Sequence, residues 1–333
     1  MVCETNRYTR LTATGMGEPV KSSVKVNTLV IGGGGYIGSH LVPELVATGR
    51  RVTVLGRSIT SRYKLPLDVH YVAGDFGQHK VISRLLDVHQ EVIHLAYATV
   101  PNTSFENPLA DLLQNLPPSV QLFSEAADRD VKVVLVSSGG TVYGEAVHLP
   151  ISETHPTNPI SPYGVTKLTL ENYAYLYAAT HGLNFVCVRP SNAYGVGQRP
   201  FAGQGFIATA LASAMRGMPI KIFGEHGAVR DYLYVSDLAS GVVSVLDRGH
   251  LSETYNLGSG LGLSNAEVID VLKTLMRKMG SDVQVENLPE RAFDVKTNVL
   301  DSRKIQAHTG WRPSIEFDDG LRRTCDWLRT IER

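Results

Sequence analysis

The sequence predicts an α/β protein, a doubly wound parallel sheet carrying a smaller α/β substrate lobe. Short, almost wholly apolar segments alternate with helical ones from residue 25 onward, the pattern of a parallel sheet covered on both faces. The first apolar segment runs straight into Ile31-Gly32-Gly33-Gly34-Gly35-Tyr36-Ile37-Gly38, and a helical pattern follows at once. Beyond residue 190 the loops lengthen, and Gly and Pro recur at Gly195, Gly197, Pro200, Gly203, Gly205, Gly217, Pro219 and Gly224. With 333 residues the chain can form one large α/β unit or two joined lobes.

Residues 1–25 are polar and patternless and read as a flexible extension. Strands are expected at 27–31, 51–55, 69–73, 91–95 and 131–136, with helices near 36–48, 79–87, 109–128 and 162–180. Pro43 falls inside the first helix, where a missing N–H costs about 3 kcal/mol. The sequence therefore predicts a bend there or a late first turn. Helices near 205–216, 236–247, 264–279 and 317–331 complete the second half.

The charge is balanced, with 32 basic and 32 acidic residues. Nucleic acid and anionic membranes are not expected partners, because bulk binding of either needs a basic excess. The three cysteines, Cys3, Cys187 and Cys325, are widely spaced. They read as free thiols in a reducing compartment, with neither a disulfide frame nor a metal site. No apolar run reaches spanning length and no signal-peptide core opens the chain, so the expected setting is cytoplasmic.

Gly32, Gly35 and Gly38 follow a G-x-x-G-x-x-G spacing between a strand and a helix. Such a turn offers backbone N–H groups at a helix N-terminus to a pyrophosphate. The plainer reading is an ordinary strand-to-helix turn. Ser161-Pro162-Tyr163-Gly164-Val165-Thr166-Lys167 opens a helix with Ser161 as N-cap and Pro162 as first residue. Tyr163 and Lys167 are then one turn apart on one face. A phenol titrates near 10, so it is a poor base at neutral pH unless a cation beside it favours the phenolate. Ser137-Ser138-Gly139-Gly140-Thr141-Val142-Tyr143-Gly144 follows the fifth strand. Its hydroxyls can bond a substrate oxygen and pass a proton to a phenolate, or simply satisfy a turn.

The glycine turn, the Ser-Ser-x-x-Thr-Val-Tyr-Gly loop, the Tyr-x-x-x-Lys helix, Arg189-Pro190-Ser191-Asn192-Ala193-Tyr194-Gly195 and Val229-Arg230-Asp231-Tyr232 occur in one order. Together they resemble the extended short-chain dehydrogenase/reductases, and within them the nucleotide-sugar epimerases typified by UDP-galactose/UDP-glucose 4-epimerase. The likeness spans about residues 26–330. It implies a Rossmann-type dinucleotide-binding domain at 26–190, a returning segment at about 229–257, and a substrate-binding lobe over 191–330. It implies NAD as cofactor, a UDP-hexose substrate (glucose/galactose or an N-acetyl derivative) and a transient 4-keto sugar formed by hydride transfer from C4. Tyr163 is then the base, and Lys167 lowers its pKa and holds the nicotinamide ribose. Gly32, Gly35, Tyr36, Ile37, Gly38, Arg57, Asp75, Phe76 and Ala96 join Lys167 around the cofactor, with Asp75 near the adenine. Asn115 falls on the dimer-side helix. Asn192 contacts the substrate, and Arg230 and Arg291 grip its diphosphate. The plain alternative for either arginine is a surface ion pair.

Three positions depart from the family. Gly139 stands where a catalytic Ser or Thr is usual, so Ser138 or Thr141 takes that duty or Tyr163 acts alone; Ser138 is preferred. Gly139-Gly140-Thr141 offers no carboxylate, which counts against a dehydratase. The second strand ends Leu55-Gly56-Arg57. An acid there would accept the ribose hydroxyls; Gly56 and Arg57 instead tilt towards NADP, against the family's NAD. Asn298 replaces a bulky gatekeeper beside the sugar 2-position, which predicts tolerance of an N-acetyl group. Two alternatives stay open: an NADP-dependent nucleotide-sugar reductase and a non-catalytic dinucleotide-sensing protein. The helices near 109–128 and 162–180 resemble a family dimer face, so a homodimer is expected.

Overall fold

A computed structural model describes residues 25–290 and 295–331. The extension expected at 1–25 falls, but for Lys25, outside the described residues. The first half runs β1 (Asn27–Ile31), α1 (Tyr36–Ala47), β2 (Arg51–Gly56), β3 (His70–Ala73), α2 (His79–Leu86), β4 (Glu91–His94), α3 (Pro101–Glu106), α4 (Pro108–Asp128), β5 (Lys132–Val136), α5 (Pro162–His181) and β6 (Phe185–Pro190). The second continues β7 (Asn192–Tyr194), α6 (Phe206–Met215), β8 (Ile220–Phe223), β9 (Val229–Tyr234), α7 (Val235–Arg248), β10 (Thr254–Leu257), β11 (Gly262–Ser264), α8 (Asn265–Arg277), β12 (Val285–Leu288), β13 (Thr297–Asn298), α9 (Arg303–Thr309) and α10 (Phe317–Ile331).

The central sheet has seven strands in the order β10-β6-β5-β4-β1-β2-β3, all parallel. Strand alternation divides its side chains. Val30, Val54, Val134 and Val186 face a core built with Leu41 and Leu45 of α1 and Val242 of α7. Their neighbours Leu29, Leu55, Val133 and Phe185 face the opposite core with Ile82 of α2, Phe123 of α4 and Leu170 of α5. Burial on both faces explains why the strands read as continuous apolar runs. The order reverses between β1 and β4, and ligands of open α/β sheets bind beyond the carboxyl ends at such a switch point.

The expected returning segment divides between two sheets. Residues 235–257 supply α7 and edge strand β10 to the main sheet, whereas β9 belongs to a small sheet with β7, β11 and β13. The lobe's own core gathers Tyr194, Leu211, Ile222, Tyr232, Leu272 and Leu328 from α6, β8, α8 and α10 around β7 and β9.

Pro43 does not mark a late first turn. α1 starts at Tyr36 and continues past it, and Pro43 lies on the exposed face. Water can reach the carbonyl that its missing N–H leaves free, which moderates the cost. Among the described residues, no helix is long and apolar enough to cross a membrane.

Candidate active site

The carboxyl ends of the strands open into a cleft of about 2030 Å³, walled on its far side by the lobe. Small-molecule pockets usually measure about 300–1,000 Å³, so this one has room for two ligands end to end. Every residue expected around the cofactor lines it: Gly32, Gly35, Tyr36, Ile37, Gly38, Arg57, Asp75, Phe76, Ala96 and Lys167.

The glycine turn is shaped by close approach. Gly32 has φ 85°, and a Cβ on it would lie 2.8 Å from the Ala96 nitrogen, across the switch point. A Cβ on Gly38 would run into the Gly33 carbonyl, so α1 can sit against the turn only without one. Gly35 caps α1 without a side-chain hydrogen bond, which leaves the first amides to an anion. The Tyr36 hydroxyl is buried with no partner towards Tyr63, Tyr194 and Tyr234. Uncapped amides at a helix N-terminus fit a dinucleotide diphosphate. Gly38→Ala should therefore weaken dinucleotide binding at least about tenfold, a 1.4 kcal/mol loss. Calorimetry of the purified variant checks this, and an unchanged dissociation constant would contradict it.

At the adenosine end, a Cβ on Gly56 would come within 2.5 Å of the Tyr71 hydroxyl, which donates to the Ser58 carbonyl at 2.9 Å. In this arrangement the Tyr71 hydroxyl occupies the space beside Gly56 at the end of β2. Arg57 is exposed beside it. Asp75 accepts from the Gly77 N–H at 2.8 Å, and the Phe76 ring packs 4.7 Å from that of His94.

The catalytic candidates meet at the start of α5. Ser161 caps the helix by accepting from the Gly164 N–H at 3.1 Å, and Pro162 takes the first position. Tyr163 and Lys167 both turn into the cleft. The Ser138 hydroxyl bonds to the Tyr163 phenol, but burial and the Asp111 charge outweigh it and push the phenol above its usual range. Lys167 Nζ donates to the Val136 carbonyl at 2.8 Å and stands 5.7 Å from the Tyr163 ring centroid. Burial pushes Lys167 itself down to about 8. A Cβ on Gly139 would lie 2.9 Å from the Arg189 carbonyl oxygen and closer still to Leu300. No hydroxyl could stand there, and Ser138 is the one at the phenol. The Thr141 hydroxyl is buried without a partner in the cleft wall.

The substrate candidates separate. Asn192 and Arg230 line the cleft. Arg291 lies outside the described residues. Asn298 must be reassigned: it is 1% exposed, does not line the cleft, and donates from Nδ2 to the Gly139 carbonyl at 2.9 Å. The pairing of β13 with β9 carries it behind the catalytic loop, so it does not wall the sugar site and the argument for N-acetyl tolerance lapses. Asn115 reaches the cleft wall, but its Oδ1 accepts from the Ala98 N–H at 2.8 Å and its Nδ2 donates to the Asp111 carbonyl at 2.6 Å.

Sequence reasoning missed Tyr97 and Asp111. The Tyr97 ring lies 4.7 Å from that of Tyr163 and 4.2 Å from Lys167 Nζ. Asp111 is fully buried and accepts from the Tyr97 hydroxyl at 3.3 Å and from that of Thr99. The available signal was a polar stripe, Asp111, Asn115 and Ser119 at i, i+4 and i+8, on a helix whose other buried residues are mainly apolar.

Comparison with known proteins agrees with this geometry. The family described as NAD dependent epimerase/dehydratase matches residues 28–258. A putative UDP-glucose 4-epimerase of Methanocaldococcus jannaschii is 31% identical over 309 residues, 92% of this chain and 99% of that protein. The structure of a UDP-glucose 4-epimerase from Thermotoga maritima with UDP-glucose superimposes with TM-score 0.87 at 30% identity, covering 92% of this chain and all of that one. That of a Thermus thermophilus UDP-glucose 4-epimerase with NAD gives TM-score 0.82 at 33% identity, covering 91% and 99%.

Proposed function

The chain belongs to the NAD dependent epimerase/dehydratase family, and from that premise we propose that it is an NAD-dependent UDP-hexose 4-epimerase. The observation that carries this is the meeting of Tyr163, Ser138 and Lys167 in one cleft with the glycine turn. NAD, when bound, supplies the acceptor for the sugar C4 hydride and its return to the opposite face. Tyr163 takes and restores the proton of the 4-hydroxyl, and Ser138 shares that proton through its bond to the phenol. Thr141 has an unpartnered hydroxyl to offer a sugar oxygen. Lys167 has spent one of its three N–H donors on Val136 and keeps two for the nicotinamide ribose. Arg230 supplies a guanidinium fork to the UDP diphosphate. Proton NMR of UDP-glucose or UDP-N-acetylglucosamine with the purified enzyme tests the reading. Appearance of the 4-epimer without net reductant is expected; no conversion of either sugar overturns it.

A second reading has its own observation. Gly56, which brings no acidic side chain to the end of β2, and exposed Arg57 favour an NADP-dependent nucleotide-sugar reductase. That enzyme would consume NADPH with a keto-sugar nucleotide, and its absorbance would fall steadily. If Arg57 meets a 2′-phosphate, Arg57→Ala weakens NADP binding roughly tenfold or more, the worth of a charged hydrogen bond. NAD binding stays within about twofold. Fluorescence titration with each dinucleotide separates the two.

We also propose a homodimer through α4 and α5. Leu109, Leu112 and Leu113 on α4 and Val165 and Leu176 on α5 are exposed, aligned at helical spacing. Light scattering should give a dimer mass, and Leu112→Asp a monomer. Buried thiols at Cys187 and Cys325 suit a reducing, cytoplasmic setting.

A further inference from the structure

Asp111 is a buried carboxylate in a site where a phenol must lose its proton, and a negative charge there opposes that step. Its placement is elaborate. Asp111, Asn115 and Ser119 form one ridge along α4. Asp111 accepts from the hydroxyls of Tyr97 and Thr99, Asn115 accepts from the Ala98 N–H, and Ser119 meets His94 Nε2 at 2.9 Å. The ridge thus fixes the segment that follows β4 and with it the Tyr97 ring. That ring lies between charges: Lys167 Nζ is 4.2 Å from its centroid, and Asp111 holds its hydroxyl.

The other charges facing this place are accounted for. Glu171, one turn beyond Lys167 on α5, is paired with Arg189 of β6. His94 at the end of β4 is pushed down to about 3 by burial and by Lys167, and is neutral. Burial raises the Cys187 thiol of β6 well above its usual range, so it is uncharged as well. Ser138, beyond β5, brings a neutral hydroxyl. Glu171 also favours the Lys167 charge, ahead of Asp111, but its hydrogen bonds go to Arg189 and Ser137; Asp111 is the carboxylate on the Tyr97 side of the ammonium.

We propose that Asp111 and Tyr97 are positioning residues for the catalytic pair: Asp111 balances the buried Lys167 ammonium, while the Tyr97 ring keeps the two from closing into a salt bridge. A direct bridge would consume the N–H donors that Lys167 needs for its ligand. With the ring face on the ammonium and the carboxylate at the ring's hydroxyl, the two donors not held by Val136 stay available. The cost is that the same carboxylate raises the Tyr163 phenol.

This inference rests on Tyr163 being the proton-transferring group, and the test separates the two. Asp111→Asn keeps the shape of the side chain and an acceptor for one of the two hydroxyls, turns an NH2 towards the other, and removes the charge. Without that charge both the phenol and the ammonium release their protons more readily. The acid and alkaline limbs of the pH dependence of kcat/KM should therefore both move down, by about one pH unit. Asp111→Glu restores the charge and should return the limbs towards wild type. Thr99→Val removes a hydrogen bond from the same carboxylate but no charge; limbs that move as far in it as in Asp111→Asn overturn the proposal. So do limbs unmoved by Asp111→Asn. A second readout needs no turnover. The near-ultraviolet tyrosinate absorbance of Tyr163, taken as the difference between each background and its Tyr163→Phe version, should titrate at lower pH with Asn at 111. An inactive enzyme showing that shift would sink the epimerase reading and leave the role of Asp111 standing.

Discussion

Tyr163→Phe is expected to lower kcat by about three orders of magnitude, within the usual worth of a positioned general acid or base, while dinucleotide affinity stays unchanged. The substitution deletes one oxygen. The ring keeps its edge contact with Tyr97 at 4.7 Å between centroids, and the backbone N–H keeps its bond to Ser104 Oγ at 3.2 Å. What disappears is the hydroxyl bonded to Ser138, the group proposed to take a proton from the sugar. Lys167 is unsuited to replace it, because its Nζ is held by the Val136 carbonyl and faces the Tyr97 ring. Epimerisation followed by NMR gives kcat, and calorimetry gives the dinucleotide dissociation constant. A residual rate within tenfold of wild type would remove Tyr163 from its role. A matching loss of dinucleotide affinity would make it a binding residue instead.

The dinucleotide half of this protein is legible in the sequence because each signal there is local. Expected strands 27–31, 51–55, 69–73, 91–95 and 131–136 correspond to β1 to β5 within about one residue at each end. Burial on both faces writes each as an apolar run, and Gly32 and Gly38 fix the turn between β1 and α1. The lobe hides its sheet because β7, β11 and β13 are two or three residues long, too short for a period of two to register. They are ordered by pairing with β9 across long stretches of chain. Asn298 was misplaced for that reason: only the β13–β9 register shows that it faces Gly139 and not a ligand. Tyr97 and Asp111 escaped for another. Neither belongs to a motif, and their significance arises when α4 and α5 bring both to Lys167. Helical spacing does not report burial or the Asp111 charge, which raise the free phenol.

Glu171→Gln is expected to destabilise the fold by about 3–5 kcal/mol, the cost of stranding a buried charge. Arg189 is 6% exposed and Glu171 1%. Arg189 Nε lies 3.1 Å from each carboxylate oxygen, and its NH2 is 2.5 Å from Oε2. Burial works against the Arg189 charge, but the hydrogen bonds and charge of Glu171 more than offset it and hold the guanidinium above its usual range. The pair anchors a wider network. Ser137 donates to Glu171, Arg189 NH1 donates to the Tyr143 hydroxyl at 2.9 Å, and that hydroxyl donates to Asn256 Oδ1 at 2.7 Å. Through these bonds α5, β6, β10 and both ends of the Ser138 loop share one buried junction. A neutral amide leaves Arg189 charged and poorly matched, so the transition in urea should move by that free energy at unchanged slope. If the charge itself is the burden, Glu171→Leu with Arg189→Met should lose less than the sum of the two single changes, and a double-mutant cycle reads the difference. Additive losses would mean the pair is uncoupled and that its carboxylate and guanidinium serve separate neighbours. Because Ser137 precedes Ser138, the single variant should also lose turnover at temperatures where it remains folded, which a purely global destabilisation would not produce.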